Sequence, residues 1–126
     1  MALGGKHSLP GFEQSLGELR SDILLMASLV RRSLRNVRTG FIQRDEDGCS
    51  AVIADDEEVD VLEKQIDKEG VEIMIRFHPV ASDMRQVIST MKLSSNLERI
   101  ADQAVAIARR AKKLNLRPTE IGRAHV

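Results

Sequence analysis

The chain has 126 residues, 42% of them hydrophobic and 30% charged, which suits one folded domain around a single core and excludes a disordered chain. Nineteen basic and nineteen acidic residues give a net charge of zero, so no strong field steers it to nucleic acid or to an anionic membrane. Trp and Tyr are absent and Phe occurs three times, which leaves little for stacking on bases, and a single cysteine rules out an internal disulfide or a thiolate zinc site.

Residues 1–9 read as a loose, flexible start with no secretory signal, and no apolar run is long enough to span a membrane. The expected location is cytoplasmic, peripheral at most to a membrane. A first helix follows. Phe12, Leu16, Leu19, Ile23, Met26, Val30, Leu34, Val37 and Phe41 recur at gaps of three and four, the period of one helix face. Gly40 weakens its last turns without ending it. Asp45-Glu46-Asp47-Gly48 reads as a turn leading into acidic first-turn residues.

The second helix carries Val52, Val59, Leu62, Ile66 and Ile73 within an arc of roughly 80°. Asp56, Asp60, Glu63 and Asp67 form an acidic stripe beside that face. His78-Pro79 closes the helix, because a residue before proline is pushed out of the helical region. Pro79 then fits the first turn of a third helix. That helix carries Met84, Val87, Ile88, Met91, Leu93, Leu97, Ile100, Ala101, Ala104, Ile107, Ala108 and Ala111. Apolar residues on more than one face mark it as central in the bundle or as packed against another subunit. Arg109, Arg110, Lys112 and Lys113 suit the negative end of its dipole, and Pro118 stops it. The cluster is read first as a dipole-compensated end and second as a docking surface for an acidic partner. Nothing reads as strand. The expected fold is all-α: a long antiparallel three-helix bundle over residues 10–114, with a tail at 115–126.

Asp56 with Asp60 and Glu98 with Asp102 are carboxylate pairs four residues apart, each pair on one helix face. Like charges at that spacing repel by about 0.2–0.5 kcal/mol. A hard cation on oxygen ligands would offset both pairs. The plainer reading is a solvated acidic face paired with Lys92, Arg85 or Arg99. Glu63 and Asp67 continue the stripe and are candidate secondary ligands, with solvation the simpler account of both. Arg85 is expected to reach Asp60 or Glu63 and to orient them. His7, His78 and His125 are scattered and form no Glu-x-x-His motif. Cys49 reads as a small, half-buried residue with no cation beside it.

The segment Arg76-Phe77-His78-Pro79-Val80-Ala81-Ser82-Asp83-Met84-Arg85, then Lys92, then Leu97-Glu98-Arg99-Ile100-Ala101-Asp102, resembles one repeat of the PhoU family of phosphate transport system regulators. The resemblance covers roughly residues 7–113. Ala101 stands where the family pattern has Gly, and His78 where it has Gln. The resemblance implies a three-helix bundle per repeat, usually with two repeats in one chain. It implies metal (iron, manganese, magnesium or zinc) held by Asp56/Asp60 and Glu98/Asp102. It also implies a non-enzymatic regulator that links a phosphate ABC transporter to a sensor histidine kinase. A lone repeat with excess apolar surface is expected to form a homodimer that rebuilds the two-repeat shape. Two rival readings stand beside this one. A metal-dependent phosphoester hydrolase would use the same carboxylates, and a purely structural helical interaction module would need no metal.

Overall fold

The computed structural model of the chain describes residues 10–115. The expected loose start at 1–9 and the tail beyond 115, with Pro118, lie outside the described residues. Three helices follow one another: α1 (Phe12–Ile42), α2 (Glu46–Phe77) and α3 (Ala81–Asn115). Each packs against the other two. The links at 43–45 and 78–80 are short, so consecutive helices run antiparallel.

Local chemistry sets the boundaries. Gly11 takes φ 87° before α1, a left-handed conformation that glycine adopts without penalty. Asp45 caps α2, its Oδ1 accepting from the Asp47 amide at 3.1 Å. His78 ends α2 in the left-handed region, and Pro79 cannot continue the helix. Pro79 lies just outside α3, which begins at Ala81 rather than on the proline.

The buried residues of α1 are Phe12, Leu16, Leu19, Ile23, Met26, Leu29, Val30, Ser33, Val37 and Gly40. Beyond Val30 the core row continues through Ser33 and Gly40, while Leu34 and Phe41 point outward and are exposed. Helices twisting around one another keep a repeat of about 3.5 residues at their seam. Strict alternation of gaps of four and three then selects 33 and 40, and small residues stand where apolar ones were expected. Gly40 is required there: a Cβ would collide with Cys49 Sγ and lie 3.1 Å from the Asp45 carbonyl. Cys49 is fully buried at this close approach, not half-buried.

The same repeat on α2 runs Cys49, Val52, Asp56, Val59, Glu63, Ile66, Gly70, Ile73, Phe77. On α3 it runs Met84, Val87, Met91, Ser94, Glu98, Ala101, Val105, Ala108. Gly70 makes room for Met91 across this contact. Phe12 and Phe77 close one end of the bundle edge to face, with ring centroids 5.4 Å apart. The core falls into two apolar clusters. One runs from Phe12 to Val59 and Ala101, and the other gathers Val37, Cys49, Val52, Ala104, Val105 and Ala108. The break comes where Ser33 and Asp56 take seam positions. None of the three helices is central. The second apolar face of α3 therefore stays exposed as a row at seven-residue spacing: Leu93, Ile100, Ile107 and Leu114.

Candidate metal centre

Three of the seam positions are carboxylates: Asp56 and Glu63 on α2 and Glu98 on α3. Glu98 sits between Ser94 and Ala101, both buried. A side chain there points at the neighbouring helix rather than at water. Asp60 and Asp102 each lie one turn from a seam carboxylate and flank the same groove. Because α2 and α3 are antiparallel, the two acidic rows face each other. Asp60, Glu63 and Glu98 converge: each offers an oxygen, and all three oxygens lie within 4.8 Å of one another. All three residues are half-buried. Asp56 lies toward the Asp102 end of the groove, where the two carboxyls are within hydrogen-bond reach.

The electrostatics follow from that crowding. Burial pushes the Glu98 carboxyl up to about 7, helped by a hydrogen bond and charge repulsion from Asp102 and by the charges of Glu63 and Asp60. Asp56 is raised by burial and by Asp102 and Asp60, with Arg109 opposing. Glu63 is raised by burial and then by Asp67, Asp60 and Asp102, with Lys64 opposing. One buried oxygen, Asp56 Oδ1, has no hydrogen-bond partner among the described residues. Cationic help is sparse. Lys64 pairs with Asp60 at 3.2 Å one turn away, the lysine itself well exposed, while Arg32 is committed to Asp55 on the other side of α2 at 3.0 Å.

These residues suit a hard cation. Metal–oxygen bonds of about 2.0–2.6 Å place two ligands of one ion at most about 4–5 Å apart, which matches the spread of the Asp60, Glu63 and Glu98 oxygens. An all-oxygen set, half-desolvated and mutually repelling, is the chemistry such an ion stabilises.

The grouping differs from the sequence reading in three ways. The tightest set crosses between helices and takes one member from each expected pair plus Glu63, which the sequence read as a secondary candidate. Asp67 is exposed and reaches the group only through its charge on Glu63. Arg85 does not orient the cluster. Glu98 is thirteen residues further along α3, about 20 Å at the helical rise, so Arg85 lies near the α2–α3 turn and forms no ion pair with Asp60 or Glu63. Lys92 and Arg99 form no ion pair with the cluster either, so among the described residues the expected pairs with Arg85, Lys92 and Arg99 are absent, and the cation that does pair, Lys64 with Asp60, was not among them.

One carboxylate outside this groove was not anticipated. Glu69 on α2 is pushed up to about 7, first by burial, with Gln65 donating a hydrogen bond that lowers it and Asp22 of α1 opposing. It stands with Asp22 on the α1–α2 face, away from the α3 groove.

Comparison with known proteins bears on the fold and the family. Residues 23–111 match the model of the PhoU domain. A Pseudomonas putida phosphate-specific transport system accessory protein PhoU homolog is 40% identical over 108 residues, which cover 86% of this chain and 42% of that protein. The corresponding protein of Clostridium acetobutylicum is 32% identical over 82% of this chain and 48% of its own length. The crystal structure of PhoU from Pseudomonas aeruginosa superposes with a TM-score of 0.81 at 36% identity, over 82% of this chain and 50% of that one. The chain thus spans about half the length of the relatives it matches. With the helical bundle, the domain match and the relatives in agreement, the chain belongs to the PhoU family.

Proposed function

We propose that the chain acts as a non-enzymatic regulator of phosphate uptake and phosphate-starvation signalling, binding partner proteins while holding a cation in the α2–α3 groove. The observation that carries this reading is the convergence of Asp60 with the seam carboxylates Glu63 and Glu98 in the α2–α3 groove. Carboxylates placed there cost stability unless something offsets them. The relatives are named as accessory proteins of phosphate-specific transport systems. The partners proposed here are a phosphate ABC transporter and a sensor histidine kinase. The cation is iron, manganese, magnesium or zinc, and it would hold the α2–α3 surface in one shape for those partners. The absence of a membrane-crossing helix among the described residues is compatible with a cytoplasmic location that is peripheral to the transporter.

Self-association is part of the same reading. The exposed row Leu93, Ile100, Ile107 and Leu114 on α3 ends beside Phe41 and Ile42 of α1, where a groove of 670 Å³ is lined by Phe41, Ile42, Ile107 and Leu114. Covering it with a second copy makes a homodimer of the two-repeat kind.

The test is expression in a bacterium deleted for its own PhoU-family protein and carrying a phosphate-starvation reporter. In phosphate-replete medium the native chain is expected to restore repression, and an Asp60→Asn, Glu63→Gln, Glu98→Gln variant at equal abundance is expected not to. A folded, abundant native chain that leaves the reporter fully derepressed would contradict the proposal.

A further inference from the structure

A second pair of carboxyls ties α1 to α2, on the face away from the α2–α3 groove. Asp22 stands beside Ile23 on α1 and Glu69 beside Gly70 on α2, so each borders the seam between the two helices, and both are half-buried. Gln65 holds them together: its Nε2 donates to Asp22 Oδ2 at 3.1 Å and to Glu69 Oε2 at 3.1 Å. That uses both hydrogens of the amide. The other oxygen of Glu69, Oε1, is buried and has no hydrogen-bond partner among the described residues. Nor does a cation answer the pair: among the described residues neither Asp22 nor Glu69 enters an ion pair. Arg20 is turned to Gln86 of α3, Arg76 lies over the Phe77 ring at 5.1 Å from its centroid, and Lys68 is exposed. The remaining charged groups around Glu69 are acids, Glu18 of α1 and Glu72 of α2. The third helix meets this stretch of α2 through Met91, at Gly70, and supplies none of the charges that act most strongly on Glu69. Asp67 is exposed and acts on Glu63 instead.

Two carboxylates that share one amide across a helix interface repel each other, and a single proton removes the conflict. Protonated Glu69 is neutral and is itself a donor, and Asp22 lies within hydrogen-bond reach to accept from it. We propose that Asp22, Gln65 and Glu69 form a proton-operated clasp, closed on α1 and α2 while the two carboxyls share a proton and loosened when that proton is lost. The clasp needs no metal. Burial pushes Glu69 up to about 7, with Asp22 and Glu18 raising it further and Gln65 lowering it. The closed state thus holds a proton that an opened state, with Glu69 at its ordinary 4.5, releases. The stability of the contact is full below about 4.5 and is lost as pH rises through about 7. A pocket of 580 Å³ lined by Asp22, Gln65, Glu69 and Gly17 gives the proton a route to solvent. Gly17 also weakens this stretch of α1, because glycine is a poor helix former and nothing packs within 4 Å of where its Cβ would stand. Loss of the proton therefore acts on the part of α1 least able to hold its shape alone.

The test is amide hydrogen exchange in chelator at pH 6 and pH 8, corrected for the intrinsic exchange rate at each pH. Every sample carries Glu98→Gln, so that the groove carboxyl titrating in the same range contributes nothing. Residues 18–26 of α1 report on the clasp, and residues 34–41, around Val37 in the other apolar cluster, serve as the reference. With Glu69 intact, protection of 18–26 is expected to fall about three- to tenfold relative to the reference between the two pH values. With Glu69→Gln, a permanently neutral donor in the same place, it is expected to stay high at both. Carbon-13 NMR of the side-chain carboxyls gives the second readout: Glu69 is expected to titrate near 7, and lower in an Asp22→Asn variant. Protection that does not change with pH, a fall of the same size in Glu69→Gln, or a Glu69 carboxyl that titrates at its ordinary value would overturn the inference and leave the metal centre untouched.

Discussion

Replacing Glu98 with Gln should make the metal-free protein more stable, the reverse of the usual effect of changing a half-buried residue. The folded carboxyl is pushed from its ordinary 4.5 to about 7, chiefly by burial and then by Asp102, Glu63 and Asp60. Between those values the folded state holds the proton that the unfolded state has released. The stability tied to this group is therefore full below about 4.5 and lost as pH rises through about 7. Taken at face value, a shift of that size is worth about 3 kcal/mol, and solvent reaching a half-buried site trims it to about 1–2 kcal/mol. Gln keeps the shape, removes the charge and can donate to the neighbouring carboxylates. In a chelator at pH 8, Glu98→Gln should raise the melting temperature by roughly 5–10 °C. At pH 4.5 the difference should vanish. The assay is thermal unfolding followed by circular dichroism across that pH range. A variant destabilised at pH 8, or a native protein whose stability does not fall between pH 4.5 and 8, would refute the account of crowded seam carboxylates.

Other outcomes follow from the packing. Saturating manganese at about a hundredfold its dissociation constant should stabilise the native protein by roughly 2.7 kcal/mol and leave the Glu98→Gln variant unmoved; equal melting shifts in both would place the ion elsewhere. Gly40→Ala should cost about 1–3 kcal/mol in urea unfolding, because its Cβ meets Cys49 Sγ and the Asp45 carbonyl on a closely packed helix contact; a neutral result would mean that α1 and α2 separate easily there. Ile100→Lys with Ile107→Lys, on the exposed row of α3, should convert a homodimer to monomer in sedimentation without lowering helicity; a native protein that is monomeric at high concentration would remove that face from the proposed interface.

Much of this was legible from residue spacing. The three helices, the proline at the second turn and the acidic start of α2 all announce themselves locally, because caps and apolar periods act within a few residues. The α2–α3 juxtaposition of acidic rows follows from antiparallel packing once both rows are recognised. What escaped was the finer period. Choosing apolar Leu34 and Phe41 for the core follows hydrophobicity, whereas the supercoil seam takes Ser33 and Gly40, since close helix approach favours small side chains. The same rule, applied to α2 and α3, would have placed Asp56, Glu63 and Glu98 on the seam and promoted Glu63 from the rim to the centre. Arg85 illustrates the opposite limit: opposite charges on neighbouring helices attract only at the same level along the bundle, and its level is set by the turn at Pro79. The burial of Glu69 depends on how α1 leans on α2, which no local pattern encodes.

The most direct measurement of the central claim is the metal content, by elemental mass spectrometry, of native protein and of the Asp60→Asn, Glu63→Gln, Glu98→Gln variant after identical exposure to iron, manganese, magnesium and zinc. The account predicts stoichiometric metal in the native protein and none in the variant. Metal in neither, or equal metal in both, would contradict it.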